Sequence, residues 1–366
     1  MAKLPKIEMA DLDAMAAEYS RFAEFIESHK ELKKERDMVR VFLSPSPRHE
    51  IYQEHSVSLY HYRRRTKATH RLPLLVVPSL VNKPFIMDML KGESFIEAML
   101  ERGFEVFMLE WGQPTPGQKK FPLEYYIRHY MNRATKRILK LTGAPGLSLA
   151  GYCIGGNLAL LHAACDKGER VRNLITMVTP INFEDKGMLS WWAKKEHFDI
   201  DKVVDTYGNI PADFFSQAFP WLVPQANLMK MRTIYEKHKD KEFMRSFLAL
   251  DIWGKENTPF PGEVYRSIIK HGYQENVLVE QGEWPLEEDS ARLADIEMPC
   301  LNLAAQYDHI APCDSCLVLP DLLPNADCTS KAYATGHLGI ALGKDVMQQP
   351  TTEYWDEICI WLEKND

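Results

Sequence analysis

The sequence predicts an α/β fold: a mostly parallel central sheet with helices on both faces and a mainly helical cap inserted into it. Two observations carry this. Short solid apolar runs such as "LPLLVVP" and "NLITMVT" alternate with helical stretches, the pattern of strands buried on both sides by crossover helices. The alternation stops between about residues 181 and 282, where sequence rich in aromatics and methionine ("MLSWWAKK", "DFFSQAFPWLVP") runs helical without obvious strands, and then resumes.

Taken in order, apolar residues at Leu12, Met15, Tyr19, Phe22 and Ile26 fall three or four apart and predict an amphipathic helix over 11–30. "SVSLYHY" alternates as a half-buried strand does, "RRRTK" reads as a solvated hairpin tip, and "LPLLVVP" as a central strand. A helix follows over 94–102, then strand "FEVFMLEW", a helix over 123–141, strand "GLSLAGY", a helix over 156–164 and strand "NLITMVT". After the cap, "MPCLNLAAQYD" and "DCTSKAYATGH" give two more strands, and "PTTEYWDEICIWLEK" a closing amphipathic helix. The chain thus divides into an N-terminal helical segment (1–45), a first core part (46–180), a cap (181–290) and a second core part (291–366).

Composition narrows the function. Across 366 residues, 44 Lys and Arg against 51 Asp and Glu leave a net charge of −7, which gives no basic footprint for nucleic acid. The N-terminus has no secretory pattern, so a cytoplasmic protein with reduced thiols is expected from its seven cysteines. A transmembrane protein is not expected either. The uncharged run "LSLAGYCIGGNLALLHAAC" is long enough, but its glycines and Asn157 interrupt it with a turn.

That turn is where chemistry concentrates. "GYCIGG" lies between a predicted strand and a predicted helix and has the form G-x-C-x-G, a nucleophile elbow with Cys153 at its apex. The thiol would stand exposed over a helix N-terminus, whose dipole favours negative charge. Such an elbow requires, in order, an acid after a late strand and a histidine after the last one. Asp308 in "AAQYDHIAP" and His337 in "YATGHLGI" fill those places: His337 to take the thiol proton, Asp308 to hold the imidazole in its working tautomer. An oxyanion hole needs two backbone donors, read as the amides of Ile154 and, from the loop "PSLVNKPFIMD", Val81, with Leu80 close behind. His309 is the rival base, expected to point away. Cys313 and Cys316 have C-x-x-C spacing, but no second cysteine pair supports a metal site, and none is expected.

Together these motifs resemble the polyhydroxyalkanoate synthases of the α/β-hydrolase superfamily, especially the short, two-subunit type. "VPSLVNKPFIMDM", "GFEVFMLEWG", "GYCIGG", "YDHIAP" and "TGHLGI" carry the likeness, with "GNIPADFFSQAF" and "YQENVL" in the cap. The likeness runs from about Pro47 to the C-terminus. Glu110, Cys313 and the cap stretch "WGKENTPFPGEVY" depart from the family pattern.

The resemblance implies a Cys-dependent acyltransferase that polymerises (R)-3-hydroxyacyl-CoA, 3-hydroxybutyryl-CoA first of all, onto a growing polyester. Cys153 would carry the acyl chain, with the CoA thioester as substrate and no cofactor. It further implies a second, PhaE- or PhaR-like subunit, a homodimer or hetero-oligomer, and a cytoplasmic location or one at the surface of polyester granules. The apolar cap would keep water out, with Trp191 and Trp192 as candidates for that task. A thioesterase or esterase on the same scaffold, and a non-catalytic granule protein, are the alternatives.

Overall fold

A computed structural model of the chain describes residues 30–64, 66–67, 70–223, 232–237, 239–344, 351 and 353–366. Eight strands form one sheet: β1 (Arg48–Glu54), β2 (Val57–Tyr62), β3 (Leu74–Val77), β4 (Val106–Glu110), β5 (Leu147–Tyr152), β6 (Val171–Met177), β7 (Cys300–Ala305) and β8 (Cys328–Tyr333). Their spatial order is β1-β2-β4-β3-β5-β6-β7-β8. The β1–β2 and β2–β4 pairs are antiparallel and every other pair is parallel.

This order corrects one expectation. "RRRTK" does not join two paired strands, because β2 pairs with β1 and β4 and not with β3, the next strand in the chain. The hairpin turn is instead at His55 and Ser56, where His55 takes a positive φ of 53°. The expected helix over 11–30 lies outside the described residues.

Among the described residues, the helices used below are these. In the core they are α1 (Lys30–Val41), α2 (Phe95–Glu101), α3 (Met131–Thr142) and α4 (Ile154–Asp166). Within the cap they are α5 (Met188–Ala193), α6 (Ile200–Tyr207), α7 (Ala212–Ala218), α8 (Lys241–Lys255) and α9 (Gly262–Ser267), and α10 (Glu353–Lys364) closes the chain. Local chemistry sets their ends. Ser94 caps α2 by accepting from the Glu97 amide at 2.9 Å, and Asp240 caps α8 by accepting from the amides of Glu242 and Phe243. Gly143 ends α3 in the left-handed conformation, φ 69°.

The central strands alternate their side chains between two apolar layers. Leu75, Val77, Phe107 and Leu109 meet Ala134 and Ile138 of α3 and Leu158 and Leu161 of α4. Leu74, Val76, Val106 and Met108 meet Met99 of α2, Ile252 of α8 and Ile358 of α10. Each such fully buried side chain stabilises the fold by about 1.5–3 kcal/mol relative to exposure. Before α3 the chain makes a wide π turn, Tyr125–Tyr130, and the Ile127 carbonyl there accepts from Nδ1 of the buried His162 at 2.7 Å.

The cap occupies the crossover between β6 and β7. Its return leg contains a short hairpin, Glu283–Pro285 with Ser290–Arg292, whose Trp284 and Ala291 join the same apolar layer as α4. Among the described residues no helix is long and apolar enough to cross a membrane.

Candidate active site

β5 ends at Tyr152 and α4 begins at Ile154, so a single residue, Cys153, must reverse the chain. It does so at φ 55° and ψ −129°, a conformation that costs a non-glycine residue about 1–3 kcal/mol. The Cys153 amide donates to Met177 O at 2.9 Å, and its carbonyl accepts from the Gly156 amide at 2.8 Å. Two glycines make the turn possible by letting α4 press on the sheet. A Cβ at Gly155 would lie 2.2 Å from Val77 O, and one at Gly156 would lie 1.8 Å from Thr179 Oγ1.

Asp308 and His337 leave the ends of the adjacent parallel strands β7 and β8. Their loops stay zipped beyond the sheet, since the Gln306 amide donates to Tyr333 O at 2.9 Å and the Tyr307 amide to Thr335 O at 3.0 Å. His337 Nδ1 donates to Asp308 Oδ2 at 2.7 Å, and Asp308 Oδ1 accepts from the amides of Ile310 at 2.8 Å and Ala311 at 2.9 Å. The carboxylate is therefore fixed by its own loop while its free oxygen orients the ring. Tyr152, next to the nucleophile, donates its hydroxyl to the backbone carbonyl of His337 at 3.1 Å.

The ring is almost fully buried. Burial alone would lower its pKa, but the Asp308 carboxylate first and then the Cys153 sulfur, each by charge and by hydrogen bond, push it up to about 10. The structure brings the three expected residues to one place: His337 bonds Asp308, and it shares a cavity wall with Cys153.

Cys153, Ile154, Val81 and His337 all line one cavity of about 800 Å³. Leu80 does not, and its carbonyl accepts from the Thr258 hydroxyl at 2.8 Å; Ser79, Val81 and Asn82 are the residues of that loop on the cavity wall. The Val81 amide donates only a long bond to Ser79 Oγ, 3.3 Å. His309 corrects an expectation, for it too lines the cavity rather than facing away, although Asp308 orients His337 and not its neighbour. Trp192 lines the cavity, whereas Trp191 is exposed and packs its ring on His197 at 4.4 Å between centroids. Cys313 and Cys316 are free thiols, both with pKa values raised chiefly by burial.

The cavity walls were not singled out from sequence. Phe214 and Phe215 of α7, Tyr265 of α9, and Ile268, Ile269 and Tyr273 of the π turn Ile268–Gln274 supply them. Only their apolar spacing in "DFFSQAF" and "YRSIIKHGY" could have hinted at a common wall.

The strand order and the elbow define an α/β-hydrolase-fold protein, and residues 73–341 match the family model described as alpha/beta hydrolase fold. Residues 30–99 match the model described as the poly-beta-hydroxybutyrate polymerase (PhaC) N-terminus. The chain belongs to the poly(3-hydroxyalkanoate) polymerase family, a family of acyltransferases. It is 33% identical over 310 residues to the polymerase subunit PhaC of Allochromatium vinosum, covering 84% of this chain and 86% of that one. With the subunit of the same name from Synechocystis it shares 32% over 319 residues, 85% of this chain and 84% of that one. The corresponding subunit of Haloferax mediterranei is 28% identical over 354 residues, 96% and 71% of the two chains. Among solved structures, the monoacylglycerol lipase of Paleococcus ferrophilus matches with a TM-score of 0.51 at 12% identity, covering 86% of this chain and 100% of that one, a likeness of fold alone.

Proposed function

We propose that this chain polymerises (R)-3-hydroxyacyl units, 3-hydroxybutyryl first among them, from their CoA thioesters into polyhydroxyalkanoate through an acyl-Cys153 intermediate. The observation that carries the reading is the placement of Cys153 and His337 on the wall of one largely apolar cavity, with Asp308 hydrogen-bonded to His337. In the first step Cys153 gives its proton to His337 and its sulfur attacks the thioester carbonyl. The developing oxyanion takes hydrogen bonds from the amides of Ile154 and Val81. The carbon–sulfur bond to CoA then breaks, and CoA leaves as its thiol with the proton from His337. One thioester has replaced another, so the acyl group stays activated and no cofactor is needed. In the second step His337 deprotonates a 3-hydroxyl, which attacks the stored acyl carbon; the ester bond forms as the carbon–sulfur bond to Cys153 breaks, and the released sulfur takes the proton back from His337. The aromatic walls favour transfer to that hydroxyl over hydrolysis by keeping water scarce.

The test supplies (R)-3-hydroxybutyryl-CoA and follows CoA release together with the fate of the acyl group. Insoluble polyester is expected, and Cys153→Ala abolishes turnover. Free 3-hydroxybutyrate as the sole product, or turnover retained by Cys153→Ala, overturns the reading. A PhaE- or PhaR-like second subunit, assembly as a homodimer or hetero-oligomer, and residence in the cytoplasm at the granule surface belong to the same proposal. Purification from the native host should bring down a second chain in fixed ratio.

A further inference from the structure

The end of cap helix α8 and the residues after it are sewn to the loop that carries Val81. Asn82 and Asn257 form an antiparallel bridge, and their side-chain amides bond each other. Trp253 Nε1 donates to Lys83 O at 2.9 Å, the Thr258 amide to Val81 O at 2.9 Å and the Thr258 hydroxyl to Leu80 O at 2.8 Å. That last bond has a geometric consequence. Leu80 C=O and Val81 N–H belong to one planar trans peptide, so holding the carbonyl fixes the opposite direction for the N–H. Glu256, two residues before Thr258, bonds Lys83 of the same loop at 2.9 Å and Arg40 of α1 at 2.5 Å.

We propose that Thr258 and Glu256 are positioning residues for the Val81 amide: Thr258 aims it, and Glu256 ties the loop, through Lys83 and Arg40, to the N-terminal helix. The inference rests on the assignment of that amide to the oxyanion hole. Neither side chain touches the reacting atoms. Their effect is confined to a step in which negative charge builds on the thioester oxygen. An event on α1 that moves Arg40 thereby reaches the oxyanion loop through one ion-paired carboxylate.

The experiment compares two reactions of Cys153 in the full chain: CoA release from (R)-3-hydroxybutyryl-CoA, which needs the oxyanion donors, and alkylation by iodoacetamide, which does not. Removing an oxyanion donor outright costs about 10²–10³ in kcat, so misdirecting one by Thr258→Val should lower kcat by about tenfold. KM and the alkylation rate should stay unchanged, and Thr258→Ser should restore the rate. Glu256→Gln should give a smaller fall in kcat, matched in the unchanged protein at about 1 M salt, where exposed ion pairs are screened over roughly 3 Å. Wild-type kcat in both variants, or a parallel fall in alkylation, overturns the proposal. Val81→Pro, which deletes the N–H, separates the two readings. If it alkylates normally and keeps full turnover, the oxyanion assignment fails; if it loses turnover while Thr258→Val does not, only the positioning role fails.

Discussion

At the scale of single residues, His337 is the group to which the proposed mechanism gives the proton transfers. Its folded pKa is raised from 6.5 to about 10: burial is the largest single influence and lowers it, and Asp308 and Cys153 together outweigh burial. The sign follows directly: this ionisation contributes stability that is fully present below about pH 6.5 and lost as pH rises toward 10. The stability difference between the wild type and His337→Gln should therefore be largest at low pH and vanish above about pH 10, measured by denaturant titration across that range. An NMR titration of the ring should give a value below the wild type in Cys153→Ala, because the sulfur is one of the two partners that raise it. A ring that titrates as high in that variant as in the wild type would remove Cys153 from those partners. Cys153, Asp308 and His337 could be picked out of the sequence because chain order and motif together single them out. Tyr152, Thr258 and Glu256 could not, since each acts through a hydrogen bond to a residue far along the chain.

At the scale of elements, the elbow depends on close approach between α4 and β3. Gly155→Ala would place a methyl 2.2 Å from Val77 O and 2.4 Å from Pro78 O, both backbone atoms that cannot swing aside. It should destabilise the protein by roughly 1–3 kcal/mol or more, read as a lower denaturation midpoint. Gly254, in α8, meets nothing within 4 Å and has an ordinary φ. Gly254→Ala should therefore raise stability by about 0.4–1 kcal/mol. The sequence reading began this helix at Gly156, where α4 begins at Ile154, because glycine looks like a breaker when only propensity is visible. Here it is a spacer. The misplaced hairpin had a similar cause: periodicity identifies β2 and β3 as strands but carries no information on which neighbour each one pairs with.

For the whole molecule, the decisive feature is the volume enclosed between sheet and cap. Its walls come from segments far apart in sequence, which is why the cap's existence was legible and its inner surface was not. Phe215 is nearly buried, and its ring stands against those of Phe260 and Tyr265 at 5.9 and 5.7 Å between centroids. Phe215→Ala should enlarge the space and raise the ratio of kcat/KM for a 3-hydroxyhexanoyl thioester over the 3-hydroxybutyryl one by about tenfold or more. An unchanged ratio would place acyl selection elsewhere.

The cap leaves the sheet at the end of β6 and comes back into β7, which are hydrogen-bonded neighbours. An excursion that starts and finishes on adjoining strands is, topologically, one long loop. It can be lengthened or trimmed without shifting the register of any strand, and Cys153, Asp308 and His337, which follow β5, β7 and β8, keep their places. The roof can thus be rewritten over an inherited floor wherever the stitches at Asn257 and Thr258 are kept.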